Sequence, residues 1–293
     1  MKLYRVGGGE VQTGVVAMLR KQWARNALAV IAAGILIVLA IGAICAPLLS
    51  SIDPQSISPA RRMRPPSTQF WFGTDNLGRD IFTRVIYGSR VSLMVGVGVA
   101  ALATLFGTFI GLLTGFNRVA DAILSRVMDG LMSIPAILIA IALTALTRAS
   151  VQGVIIAITI AEIPRVARLV RGVTLTLRDQ PFIESARSIG CSTPQILFRH
   201  ILPNTLAPLI VQASFIGASA ILIEATLSFL GAGAPTEIPS WGNIMADGRS
   251  LFQISPHIIF FPALFLAITV LAVNIVGDAA RDALDPRLAR ETK

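Results

Sequence analysis

Residues 91–117 read VSLMVGVGVAALATLFGTFIGLLTGFN, and this run decides the fold class. It holds no charged side chain, and a helix needs about 20 residues to cross a hydrocarbon core about 30 Å thick. In hydrocarbon each backbone N–H and C=O has to be paired within the spanning structure, which a helix does alone. Three further stretches are as long and as free of charge: Asn26 to Ile52, Ile201 to Ile223 and Ser250 to Gly277. The composition agrees, at 54% hydrophobic and 14% charged, against roughly 25% charged in globular proteins. The expectation is an all-α, polytopic membrane protein.

Two weaker stretches flank a break in this pattern. Counting them gives six spans, near 26–46, 90–116, 124–146, 152–172, 204–229 and 257–277. The fourth is charge-free only from Ala149 to Ala161, with Glu162 and Arg165 around Pro164 beyond it, so a re-entrant segment is its alternative. An even count puts both termini on one side, and lysine and arginine decide which, because positive loops stay in the cytoplasm. With the termini inside, the partition is 17 against 8 of the 25 basic residues. The organisation is then a cytoplasmic segment 1–25, a membrane domain 26–285 with a cytoplasmic loop 179–204, and a tail 286–293. Lys21 and Arg25 before the first run resemble a signal peptide, but about 20 apolar residues exceed an h-region, so an uncleaved helix is expected.

Outside the membrane, Pro47 to Tyr87 is rich in proline and polar residues and should run irregularly. Gly231 to Pro256 is the second outer segment, where Trp241 is placed to anchor a short helix at the interface. Gly107, Gly111 and Gly115 recur every four residues on one helix face and admit a close-packed backbone. The neighbour is either a partner subunit or the same chain.

Between the fourth and fifth spans, residues 179–203 read DQPFIESARSIGCSTPQILFRHILP. Asp179 suits the N-cap of a short helix with Pro181 in its first turn, and Gly190 suits its C-terminal cap. Ser192 or Thr193, beside Pro194, starts a second helix. Phe182, Ala186 and Ile189 make one apolar stripe, with Glu184, Arg187 and Ser188 turned elsewhere. Such a hairpin either docks into a groove of a soluble partner or lies on the bilayer surface.

The spacing Glu184-x-Ala186, then Gly190, then Leu202-Pro203, is similar to the "EAA" loop of ATP-binding-cassette importer permeases. Ser185 and His200 depart from the common pattern. Other segments resemble the C-type subunit of the dipeptide, oligopeptide and nickel branch: 72–80 (FGTDNLGRD), 167–172 (ARLVRG), 227–231 (LSFLG) and 277–287 (GDAARDALDPR). The resemblance implies a type I importer fold in which Glu184, Ser185, Ala186, Gly190, His200, Leu202 and Pro203 belong to the loop that couples the membrane subunit to its ATPases. It implies as partners a second, B-type permease subunit, two cytoplasmic ATPases and a periplasmic substrate-binding protein, in the lipid of a bacterial inner membrane. ATP and magnesium would be bound by the ATPases, with no cofactor and no metal site in this chain. Transport would proceed by alternating access, and the cargo would be a peptide or related small solute.

Ionisable groups at membrane depth are costly and each is a functional candidate. Glu224, one turn before Ser228 and near Phe229, either lines a translocation path or gate, or forms a structural pair. Glu162 with Arg165, and Asp278 with Arg281 and Asp282, are expected to pair near inner helix ends. Asp75, Arg79 and Asp80 either staple their own turn or contact the binding protein.

Other function classes lack their residues. The three lysines, Lys2, Lys21 and Lys293, are not in a Gly-x-x-x-x-Gly-Lys-Ser/Thr loop, so the chain has no ATPase site of its own. No His-Glu-x-x-His occurs, and Gly217-Ala218-Ser219-Ala220 lacks the last glycine of a serine nucleophile turn. With only His200 and His257, metal catalysis has no ligand set. The net charge of +9 is spread between apolar runs rather than gathered on a solvated face, which argues against nucleic acid. An ion-coupled secondary transporter or channel subunit remains the alternative, although no internal repeat and few central acids are found.

Overall fold

A computed structural model describes residues 27–146 and 149–284; the segment 1–25, Arg148 and the tail 286–293 lie outside them. Nine helices of eight or more residues organise the described chain: α1 (Ala27–Ile44), α2 (Ile81–Phe116), α3 (Arg118–Met132), α4 (Ala136–Leu146), α5 (Val151–Arg178), α6 (Pro181–Ser188), α7 (Leu202–Phe229), α8 (Trp241–Gly248) and α9 (His257–Leu284). Among the described residues the only β feature is a bridge between Thr74 and Asp80. α1, α2, α7 with its preceding turns, and α9 are long and apolar enough to cross a membrane. Leu28, Ile31, Val38 and Ile41 on α1, with Val97, Leu105 and Phe109 on α2, leave exposed apolar surface that suits lipid or a partner subunit.

α2 starts at Ile81, well before its charge-free run, because Asp80 caps it by accepting from the Thr83 amide at 2.9 Å. Its first turns carry Arg84 and Arg90, so the irregular outer segment ends at residue 80 instead of Tyr87. Arg90 in turn donates to the last carbonyls of α1, those of Ala43 and Ile44. These acceptors have no partner within their own helix, and a guanidinium fork reaches both.

The centre of the bundle is α2, α5 and α7. A Cβ on Gly107 would lie 2.5 Å from Val166 Cβ, one on Gly111 2.6 Å from Val170 Cβ, and one on Gly115 2.5 Å from Thr174 Cβ. The glycine stripe therefore seats α5 of the same chain, which answers the question of its neighbour. Numbers rise together along this seam, from Gly98 beside Ile155 to Gly115 beside Thr174, so α2 and α5 run parallel. Across α2, Ser92 meets Glu224 and Gly96 meets Ile221, so α7 runs antiparallel to both. Val95, Val99, Ala103, Ile158, Val166, Ile216 and Ala220 fill the space between the three.

The span expected at 124–146 is not one straight helix. α3 and α4 meet at 93° across Ser133 to Pro135. Pro135 has no amide hydrogen to continue the ladder, and its ring keeps Ile134 out of the helical region. α3 is amphipathic, with Arg118, Asp121, Arg126 and Asp129 along it and no buried residue, and it lies outside the apolar spans.

Trp241 is fully buried and is not an interface anchor. Its indole Nε1 donates to the Val85 carbonyl at 3.1 Å, and it packs with Ile81, Val85, Ile221, Ile244 and Ile258 in a second core that fixes α8 against α2, α7 and α9.

Candidate functional site

Two places gather the residues singled out above. The first is the hairpin after α5. Asp179 closes α5 instead of starting α6, whose N-cap is Gln180 with no side-chain bond. Pro181 in the first turn lacks only an amide that a helix start leaves unpaired anyway. At the far end the Gly190 amide donates to the Arg187 carbonyl at 2.9 Å, and the Cys191 amide to that of Ala186 at 3.0 Å. This pair of bonds is a Schellman cap, and Gly190 takes its left-handed position at φ 88°.

The second arm is not a separate helix. After Ser192, whose amide donates to Gln195 Oε1 at 2.8 Å, a helical turn Thr193–Ile196 passes through a π-helical stretch, Leu197–Ile201, straight into α7. Pro203 cannot donate to Arg199 four residues back, and widening the turn accommodates the missing bond. Of the expected apolar stripe on α6, Ala186 is buried but Phe182 and Ile189 are not. Ile183 and Ala186 face the bundle with Ile196 and Ile201, while Phe182 is 44% and Ile189 81% exposed. Phe182, Ser185 and Ile189 share the outward face, with Glu184 and Gly190 also exposed. His200 and Leu202 are half-buried at the root of α7, and Pro203 is exposed there.

The hairpin stands on a surface tied by ion pairs. Arg171 grips Asp121 with two bonds, 2.5 Å from Nε and 2.9 Å from NH2, and Arg168 reaches Asp129 at 2.6 Å. The Arg171 guanidinium, helped by the Ser125 hydroxyl against the opposing effect of burial, holds the Asp121 carboxyl down at about 2. Arg178 donates to the Gly115 carbonyl at 3.1 Å, joining the lower ends of α5 and α2.

The second place is the opposite end of the bundle. Glu224 is fully buried and accepts from Ser228 Oγ at 2.8 Å and Ser92 Oγ at 3.3 Å. Ser228 Oγ accepts from the Ala234 amide at 3.3 Å, so this carboxyl ties α7 to α2 and to the outer loop. Among the described residues Glu224 makes no ion pair, so its structural partners are the two serine hydroxyls. Phe229 is half-buried, with Arg249 5.8 Å from its ring centre.

Asp75, Arg79 and Asp80 are 0%, 9% and 7% exposed, so in this structure they do not present a surface to a binding protein. Asp75 Oδ2 accepts from Arg79 Nε at 2.6 Å and Arg84 NH1 at 2.7 Å, and both guanidiniums reach Asp247 Oδ2 at 2.8 Å. Asp75 Oδ1 also takes the amides of Leu77 and Arg79 at 2.9 Å, the turn stapled by its own charges. Gly78 is at φ 78°, and a Cβ there would lie 1.9 Å from the Ser58 carbonyl oxygen. Sequence reading missed Arg84 and Asp247, and also Asn243, whose Nδ2 donates to the carbonyls of Pro235 at 2.9 Å and Ile238 at 3.0 Å. Only the positions of Arg84 and Asp247 beside long apolar runs hinted at a partner. Glu162 pairs with Arg165 at 3.2 Å as expected, whereas Asp278, Arg281 and Asp282 form no ion pair among the described residues.

Residues 80–290 match the family described as binding-protein-dependent transport system inner membrane component. The chain belongs to this family. Residues 17–66 additionally match the N-terminal TM domain of oligopeptide transport permease C. A probable peptide ABC transporter permease protein of Sinorhizobium fredii is 50% identical over 97% of this chain and 96% of its own. The dipeptide transport system permease protein of Alkalihalophilus pseudofirmus is 43% identical over 92% of this chain and 88% of its own. For the oligopeptide transport system permease protein of Bacillus subtilis the identity is 38%, over 94% and 90%. Among solved structures, the MetNI methionine ABC transporter in an inward-facing form aligns with TM-score 0.58 and 20% identity, over 69% of this chain and 97% of that one. The fold is thus that of an ABC importer permease. Family membership decides against the ion-coupled alternative, and the chain is an integral membrane permease.

Proposed function

We propose that this permease is one half of a peptide-importing pathway in a bacterial inner membrane, driven through its hairpin by separate ATPase subunits. The hairpin carries the reading. A short helix locked by a glycine cap and buried on one face presents Phe182 and Ile189 outward, and an apolar ridge of this kind is a key for a groove on a soluble partner. ATP and magnesium are then bound by two ATPases, a second permease subunit completes the path, and a periplasmic protein delivers the cargo. Peptide as cargo rests on the names of the relatives.

Six crossings with both termini in the cytoplasm are part of this reading, and the parallel seam supports the count. With α2 and α5 both crossing and running the same way, the chain between them returns across the membrane, with α3 as an arm on the cytoplasmic surface and α4 inserted. The basic residues Arg118, Arg126 and Arg165 to Arg199 fall on the cytoplasmic side in this arrangement. Glu224, Ser228 and Phe229 sit where the outer gate closes, and the Glu224 ties to Ser92 and Ser228 hold it shut.

The test is transport by the reconstituted complex with its ATPases and binding protein. Glu184→Arg places a positive charge on the docking face, and Gly190→Pro forbids the left-handed cap. Both should lower uptake per ATP hydrolysed about tenfold or more, the loss of about 1.4 kcal/mol of coupling free energy, while membrane insertion is unchanged. Wild-type uptake in both variants rejects the coupling role. Normal uptake by Glu224→Ala rejects the gate.

A further inference from the structure

At the inner end of α2 a groove of about 740 Å³ opens between that helix and the hairpin. Leu113, Phe116, Ile196 and Leu197 give it apolar walls, and Arg118 and Arg187 bring two guanidiniums to it. Arg187 lies 5.1 Å from the centre of the Phe116 ring, on the side of α6 turned toward α2 and away from the Phe182 and Ile189 face. Three neighbouring arginines on this surface are neutralised, Arg168 by Asp129, Arg171 by Asp121 and Arg178 by Asp179, while Arg126 and Arg199 have no acidic partner among the described residues. Arg118 and Arg187 have no acidic partner among the described residues. The amides at the start of α3 are already taken, since Asn117 Oδ1 accepts from Val119 and Ala120 at 2.9 Å and 3.1 Å.

We propose that this groove holds one anionic phospholipid, its phosphate between Arg118 and Arg187 and its acyl chains along Leu113, Phe116 and Leu197. Three observations point to lipid. The groove sits where the apolar span ends at Phe116, the depth of the headgroups. Guanidinium forks match phosphate oxygens, and basic pockets at cytoplasmic helix ends are suited to anionic headgroups. Apolar walls beside the two charges are of no use to a free inorganic anion but fit an attached chain. The site needs only that this end of α2 lies at the membrane surface, and it stands whether or not the hairpin couples ATP hydrolysis.

Cys191 lines the same groove and reports on it. The full-length permease, with its partner permease and with or without the ATPases, is placed in nanodiscs of phosphatidylcholine alone or with phosphatidylglycerol. Modification of Cys191 by a water-soluble maleimide is then followed by peptide mass spectrometry. Phosphatidylglycerol should slow it about fivefold or more, the effect of about one lost basic contact at an anionic surface. Arg118→Gln with Arg187→Gln should abolish the difference between lipids. Arg118→Lys with Arg187→Lys should keep at least half of it, which separates lost charge from a loosened hairpin. Equal rates in the two lipids overturn the site. So does protection that survives the glutamine pair or is lost in the lysine pair. Protection by millimolar inorganic phosphate in phosphatidylcholine discs assigns the groove to a soluble anion, and protection only when the ATPases are present assigns it to a protein contact; either result overturns the lipid.

Discussion

Replacing Asp75 by asparagine removes one charge from the buried quartet of Asp75, Arg79, Arg84 and Asp247 while keeping the shape of the side chain. The retained oxygen still accepts the Leu77 and Arg79 amides, so the turn itself is spared. The lost one is the oxygen that Arg79 and Arg84 share at 2.6 Å and 2.7 Å, and an amide NH2 now faces two guanidiniums. Breaking a fully buried ion pair costs about 3–5 kcal/mol. Asp247 still binds both arginines, but its side chain is 27% exposed and its charge is partly screened, so about 2–3 kcal/mol is expected here. Backbone amides that exchange through local opening should then exchange about 30- to 150-fold faster. Hydrogen–deuterium exchange of peptides covering 74–84 in the purified complex reads this directly. Asp53→Asn, an exposed carboxylate outside the quartet, is the control and should leave these peptides unchanged. Exchange of the Asp75→Asn peptides within about threefold of wild type would refute the claim that charge, rather than the turn, holds this segment.

Gly107→Leu drives a side chain into Val166 and the Ile163 carbonyl, and should destabilise the protein by about 1–3 kcal/mol, seen as a lower thermal midpoint. Glu224→Ala strands the Ser92 and Ser228 hydroxyls in a buried site and should cost about 2 kcal/mol, whereas Glu224→Gln, which can still accept from one serine, should melt closer to wild type. The Asp121 carboxyl is lowered in the folded chain from 3.8 to about 2, so its contribution is fully present above about pH 4 and is lost as the pH falls toward 2. Protection of the α3 amides, taken relative to the intrinsic exchange rate at each pH, should therefore fall on acidification from pH 5 to pH 3, and in Asp121→Asn this dependence should flatten.

The apolar runs were sufficient to place the long helices, because crossing hydrocarbon constrains length and charge so tightly. What they missed is set by contacts distant in sequence. Nothing local announces that Asp247 closes on Arg79 and Arg84, which are 168 and 163 residues away. Trp241 reads as an interface anchor until α8 is seen folded against α2 and α9, where its ring becomes core. In the hairpin, helical periodicity left two faces of similar apolarity, and burial of Ile183 rather than Phe182 depends on how α5 delivers the chain. Pro135 was visible, but Met128 to Leu146 is apolar enough to pass for a span, and hydropathy carries no information about a right-angled bend. Gly190 was legible because its demand is local: a residue at positive φ followed by a capped second turn.

The parallel seam also bears on how the chain is made. Two helices joined by a tight hairpin can insert as a pair, but α2 and α5 cannot, since the partner for Gly107, Gly111 and Gly115 is synthesised only after the intervening residues 117–150. During biosynthesis the notched face of α2 has to wait beside the insertion machinery, unfilled, until Val166, Val170 and Thr174 leave the ribosome. A ribosome paused before residue 178 would hold a half-built bundle with its groove open, the stage at which a membrane chaperone or a quality-control protease has a distinct surface to recognise.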